Sequence, residues 1–301
     1  MSDNNEDELQ HSIDSIDEKV DGLYRWTDVN IDRIQSGIHL RRPHNYQSLF
    51  KYVSLSSPDS WEYLHKTLHN AALIGSPPAA LNDPFEVRPY VFDDLQPGTI
   101  ADAVRRFGLR WNNRRRRELP PTRVELRDAE SCRKQASLNL DQVLDRYRII
   151  GFCERVDSSL LWSHYANSYR GACLHFLAGG FSRDYDLGHV SYSKYRPAYP
   201  LSLALELSLN PTPIRVAESN KILFFTKADD WAYEAEIRLV YDTKLFPAAL
   251  FREGSLVSII LGPRFEKRQQ LDGILKGSPC ENIPVKKARL SHTTFSIEID
   301  E

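Results

Sequence analysis

Hydrophobic and polar positions alternate most regularly near the end of the chain. From Tyr233 to Tyr241 a charged or aromatic residue alternates with a small or aliphatic one, the period of a half-buried β-strand. A strand over Trp231–Tyr241 puts Glu234, Glu236 and Arg238 on one face and Ala235, Ile237 and Leu239 on the other. Further strands are predicted over Ser48–Val53, Ile149–Cys153, Ala172–Phe176, Val190–Tyr192 and Ser255–Leu261. Helical spacing of Val29, Ile31, Ile34 and Ile38 runs from Leu23 to Leu40 and stops at the breaker Arg41-Arg42-Pro43-His44. Trp61–Leu73 reads as a helix, with capping groups supplied by Ser57 to Ser60 around Pro58. A short helix capped by Ser158 or Ser159 carries Trp162, His164 and Tyr165, and others are expected around Leu203, Glu218–Phe225 and Glu266–Leu275. Between them, Asn82-Asp83-Pro84 favours a turn and opposes helix.

Regular strand–helix–strand alternation is missing from this order, and no internal repeat is present. The pattern predicts an α+β fold, a mixed or antiparallel sheet core flanked by helices in a single large domain. Its expected span is 48–301, preceded by an acidic, disordered tail over 1–20 and a helical lead-in over 21–47.

Composition narrows the function classes. The 301 residues are 41% hydrophobic and 27% charged, an ordinary balance for a globular protein. No run of roughly 18 apolar residues offers a membrane span, and the acidic N-terminus is unlike a signal peptide. Four separated cysteines without a CxxC pair suit free thiols in the cytoplasm. The nine histidines do not cluster at metal spacing, so no metal set is expected. A formal net charge of −2 provides no global attraction for nucleic acid. Locally the charge changes: an Arg-rich insertion over 105–134 contains Arg114, Arg115, Arg116 and Arg117, with Trp111 beside them. Such a cluster can grip phosphates of a nucleotide or nucleic acid, although Glu118, Glu125, Asp128 and Glu130 dilute its field.

The candidate chemistry begins with Glu234 and Glu236. Two carboxylates on one strand face repel unless a cation compensates. Arg238 can compensate one, which leaves the other for a substrate hydroxyl, a proton or a metal. No Walker loop, GxGxxG, HExxH or nucleophile elbow is present.

Four separated motifs occur in order: Phe50-Lys51-Tyr52, Asn82-Asp83-Pro84-Phe85-Glu86, Leu161-Trp162-Ser163-His164-Tyr165-Ala166 with Gly171, and Trp231-x-Tyr233-Glu234-x-Glu236-x-Arg238. Together they resemble the bacterial domain of unknown function numbered 2971, over roughly residues 48 to 265. A more distant similarity is to toxin-type ADP-ribosyltransferases, which carry a basic residue on an early strand, a Ser-rich strand and a late Glu-x-Glu. Lys51 resembles the first and Glu234-x-Glu236 the last, while Phe152-Cys153 with Ser158 and Ser159 stands in the middle. Lys51 replaces the usual Arg or His, and Phe-Cys-Glu replaces Ser-Thr-Ser. That similarity implies an NAD-hydrolysing or ADP-ribosyl-transferring protein, as in bacterial toxins or phage-defence effectors. It would use Glu236 against the ribose, Glu234 toward a protein or other acceptor, and Trp162 or Tyr165 against the nicotinamide. Lys51 would contact ribose or pyrophosphate, with Tyr52, Asn82, Asp83, His164 and Arg238 completing the binding residues. Two other classes stay open. One is a nucleic-acid binder or magnesium nuclease using Asp83, Glu86, Glu234 and Glu236. The other is a non-enzymatic interaction protein.

Overall fold

The computed structural model describes residues 41–108, 124 and 126–300. The predicted tail, the Leu23–Leu40 helix, Trp111 and Arg114 to Arg117 lie outside these residues. In chain order the strands are β1 (Ser48–Val53), β2 (Ala72–Leu73), β3 (Tyr90–Phe92), β4 (Tyr147–Cys153), β5 (Ala172–Leu177), β6 (Asp186–His189), β7 (Ser191–Ser193), β8 (Ala198–Pro200), β9 (Thr226–Ala228), β10 (Glu236–Asp242), β11 (Ala249–Leu250), β12 (Leu256–Leu261), β13 (Val285–Leu290) and β14 (Ile297–Ile299). Eight of them form one sheet in the order β14-β13-β12-β5-β1-β4-β10-β6. Every neighbouring pair is antiparallel except β12 and β13. The fold is α+β in one domain, with helices flanking a mixed sheet.

The ladders within this sheet are unequal. β1 pairs with β5 along its whole length, from Ser48 opposite Leu177 to Val53 opposite Ala172. β4 pairs with β10 just as fully, from Cys153 opposite Glu236 to Tyr147 opposite Asp242. Between β1 and β4, however, only Phe50 and Cys153 are in register. The sheet is therefore two well-knit halves joined at a seam by one residue pair, and farther along β4 the backbone of Ile149 pairs with Ser76 instead of with β1.

Helices cover both faces, which explains why β10 is buried at every position. Ile237, Leu239 and Tyr241 join Leu49, Phe152, Leu174 and Phe176 in the larger core, beneath the helix Pro58–Asn70 and the helix Arg268–Leu275. On the opposite face the apolar residues form two clusters. One gathers Tyr147, Ile149 and Val240 against the helices Ala129–Arg146, Leu201–Leu209 and Pro213–Phe224. The other gathers Phe50, Tyr52 and Cys153 against Leu161 and Trp162 of the helix Ser159–Tyr165. Glu236 and Arg238 lie along β10 between these clusters.

Local signals explain most boundaries. Ser57 caps the helix Pro58–Asn70 in a reciprocal capping box with Ser60, and Ala71 ends it in a left-handed conformation at φ 48°. The helix thus stops before Leu73, which belongs to β2. Ser158 caps the helix Ser159–Tyr165, accepting from the Leu161 N–H at 3.4 Å. The largest correction concerns Trp231–Tyr241. Asp229–Glu234 is a 3₁₀ turn, Ala235 is left-handed at φ 43°, and the strand starts only at Glu236. A 3₁₀ turn repeats every three residues, so the period of two that the sequence shows has a structural counterpart only from Glu236 onward.

Candidate functional site

The left-handed Ala235 brings the two glutamates together from different elements. Glu234 ends the 3₁₀ turn, Glu236 begins β10, and both carboxylates point at Lys227 of β9. Lys227 Nζ donates to Glu234 Oε2 at 2.6 Å and to Glu236 Oε2 at 3.2 Å, with Glu86 Oε2 at 3.8 Å. Arg238 Nε donates to Glu236 Oε1 at 2.8 Å, and its Nη2 to Glu236 Oε2 at 3.0 Å. The same guanidinium closely contacts Glu86 Oε1 and donates to the Phe224 carbonyl at 2.7 Å. Tyr165 donates its hydroxyl proton to Glu234 Oε1 at 2.5 Å, while the Glu236 N–H donates to Tyr192 Oη at 2.7 Å. Gly151, opposite Arg238 on β4, makes room for this network: a Cβ there would meet Glu236 Oε1 at 3.0 Å.

All five charged members are buried: Glu86, Glu234 and Glu236 against Lys227 and Arg238. Each carboxylate contacts a cation, but three carboxylates against two cations give the fully ionised cluster one negative charge in excess. Burial pushes the Glu236 carboxyl up to about 7, against the opposing pull of Lys227. Burial also works against the Lys227 ammonium, but Glu236 and Glu234 raise it above the ordinary lysine range. The cluster can therefore hold a proton on Glu236 near neutrality while Lys227 stays charged.

Beside this cluster opens a cleft of ≈ 840 Å³, its mouth included. It lies at the seam of the sheet, where Phe50, Lys51 and Tyr52 of β1 face Gly151, Phe152 and Cys153 of β4. Lys51 lines it, and burial lowers its ammonium pKa despite the favourable fields of Cys153 and Glu236. Among the described residues Lys51 has no side-chain hydrogen bond or ion pair. Asn82 and Asp83 form part of the rim. Asp83 Oδ1 accepts from the Phe85 N–H at 2.8 Å, as an Asx turn requires, and Oδ2 accepts from Trp231 Nε1 at 3.0 Å. This second bond holds the Trp231 ring against the cleft, where Lys227 Nζ sits 5.0 Å from its centroid.

Of the residues singled out from sequence, Lys51, Tyr52, Asn82, Asp83, Tyr165, Glu234 and Glu236 all line this one cleft. Tyr52 contributes its ring only, since its hydroxyl donates to the Arg155 carbonyl at 3.0 Å. Three expectations need correction. Trp162 is completely buried, donates to the Val156 carbonyl at 2.6 Å and packs edge-on against Tyr52, so no ligand can stack on it. His164 is exposed on the outer side of its helix turn, outside the cleft. Arg238 is fully buried behind Glu236, where it orients that carboxylate and does not line the cleft. The Arg-rich insertion shows a similar pattern where it is described. Arg105 and Arg106 pair with Asp102, and Arg133 pairs with Asp93.

The sequence reading overlooked Lys227 and the true role of Glu86. A lysine does stand beside the acidic pair, but it comes from β9, and only the 3₁₀ turn folds it back onto Glu234. Its one sequence signal was proximity, seven positions before Glu234. The nuclease reading gains little from this lysine. Glu86, Glu234 and Glu236 are already bonded to cations, Asp83 to two N–H donors, and no group among the described residues is arranged to hold a metal ion. No family model, curated protein or solved structure matches the chain. The resemblances described above therefore stand on their motifs alone.

Proposed function

We propose that this cleft cleaves the nicotinamide–ribose bond of NAD, with water or an acceptor group taking the ADP-ribosyl unit. The observation that carries this reading is Glu236 sharing a cleft with Lys51 and the Tyr165 and Trp231 rings. Breaking the bond sends its electron pair to nicotinamide and leaves positive charge on the ribose. The Glu236 carboxylate, fixed by Arg238 and Lys227, would stabilise that charge more in the transition state than in the ground state. Glu234, held by Tyr165 and Lys227, would take the proton from the incoming hydroxyl. Trp231 replaces Trp162 as the aromatic surface for the base, and Lys51, which has no ion-pair partner among the described residues, would contact the ribose or pyrophosphate.

The test is nicotinamide release from NAD by the full-length protein. Glu236→Gln keeps the shape of the side chain and removes its charge, so the rate should fall by about 10²- to 10³-fold. Because the ionised form is the effective one, the parent rate should rise with pH through about 7. A folded parent that releases no nicotinamide, or a Glu236→Gln variant as fast as the parent, overturns the reading.

A further inference from the structure

We propose that Lys51 is a carbonyl-capturing amine that forms an imine with the open-chain aldehyde of a sugar entering the cleft. The contrast with Lys227 points to it. Both lysines line the cleft, but Lys227 is saturated by carboxylates, whereas Lys51 has no acceptor or carboxylate in contact among the described residues. Lys51 sits on β1 next to the seam, half-buried, and lines the cleft. The titratable groups whose fields reach it are Glu236 of β10, Cys153 of β4 and Cys173 of β5. Burial raises both thiols well above their ordinary range, so they stay protonated and do not compete for the carbonyl. Burial lowers the Lys51 ammonium, which enlarges its neutral, nucleophilic fraction.

The step balances without an oxidant or reductant. The Nζ lone pair adds to the carbonyl carbon, a C–N bond forms, and the oxygen takes a proton. The carbinolamine then loses its hydroxyl as water with a proton from Glu236, leaving a C=N bond to Lys51. Glu236 suits this task because its carboxyl keeps a proton to about 7. Phe50 and Phe152, lining the same cleft, limit water around the imine. None of this depends on NAD cleavage, since ribose 5-phosphate presents an aldehyde with no glycosidic bond to break.

The experiment traps the imine. Full-length protein is incubated with ribose 5-phosphate and sodium cyanoborohydride at pH 7, and each lysine's modification rate is read by peptide mass mapping. Burial lowers the Lys51 ammonium pKa and so enlarges its neutral fraction, and Lys51 should therefore react faster than exposed Lys276 of the same molecule. Glu236→Gln should slow Lys51 alone by about tenfold or more, with Lys276 unchanged. Lys51 reacting no faster than Lys276 in the folded parent overturns the proposal, and needs no variant to do so. Nicotinamide release is not read here, so either proposal can fail while the other survives.

Discussion

Lys51 and Lys227 line the same cleft, and their surroundings give them opposite properties. Lys227 meets three carboxylates and is held above the normal lysine range; Lys51 meets none and is held below it. Burial penalises both charges equally in kind, so the difference lies in what surrounds each ammonium. One lysine is therefore part of the scaffold that fixes the glutamates. The other is left available to a ligand.

The largest effect expected from breaking this contrast is at Lys227. Lys227→Met leaves buried carboxylates without their shared cation and should cost about 3–5 kcal/mol of unfolding free energy, read from urea titration. An equal loss at Lys51→Met would erase the contrast.

The acid that both lysines feel provides the next test. Glu236 has a folded pKa of about 7 against an ordinary 4.5, so the folded state binds the extra proton between those values. Its contribution to stability is fully present below about 4.5 and is lost as pH rises through about 7. Melting temperature should therefore fall over that window more steeply in the parent than in Glu236→Gln. Parallel curves would show that the carboxyl titrates normally.

A smaller effect should follow at the aromatic side of the Lys227 site. Asp83→Ala removes the acceptor that holds Trp231 and the turn at Phe85, and should cost about 1 kcal/mol. Thermal unfolding checks it, and no change would make the turn self-supporting. The smallest expected effect is at Lys51 itself. Lys51→Met removes an unpaired, partly desolvated charge, so stability should stay level or rise; a clear loss would reveal a partner for that ammonium.

Elements whose cause is local were readable from sequence. β1 occupies the predicted Ser48–Val53, and Ser57 and Ser158 cap the helices expected to follow them. The cleft was readable as a set of residues but not as an arrangement. Trp162 and Trp231 each have a Tyr two or three positions on and an acidic or polar residue adjacent in sequence, yet one is core and the other lines the site. That choice is made by the packing of Trp162 against Tyr52, which lies far away in the chain. Lys227 was missed for a related reason, because its three acidic partners include Glu86 from a distant loop. The alternating pattern at Trp231–Tyr241 placed Glu236 and Arg238 on one face correctly, but could not reveal the left-handed Ala235 that turns Glu234 onto Lys227.

The seam between β1 and β4 has a consequence for hydrogen exchange. In an antiparallel ladder, alternate amides of a strand point to opposite neighbours. Those of β1 that point at β5 are locked by six consecutive pairs, whereas those that point at β4 have the single Phe50–Cys153 pair to shield them. A central strand of a large sheet should thus show two populations of amide protons in deuterated water, slow and fast by alternate residue. Exchange protection would then mark the cleft from within the backbone, and a bound ligand would be seen first as slowing of the fast set.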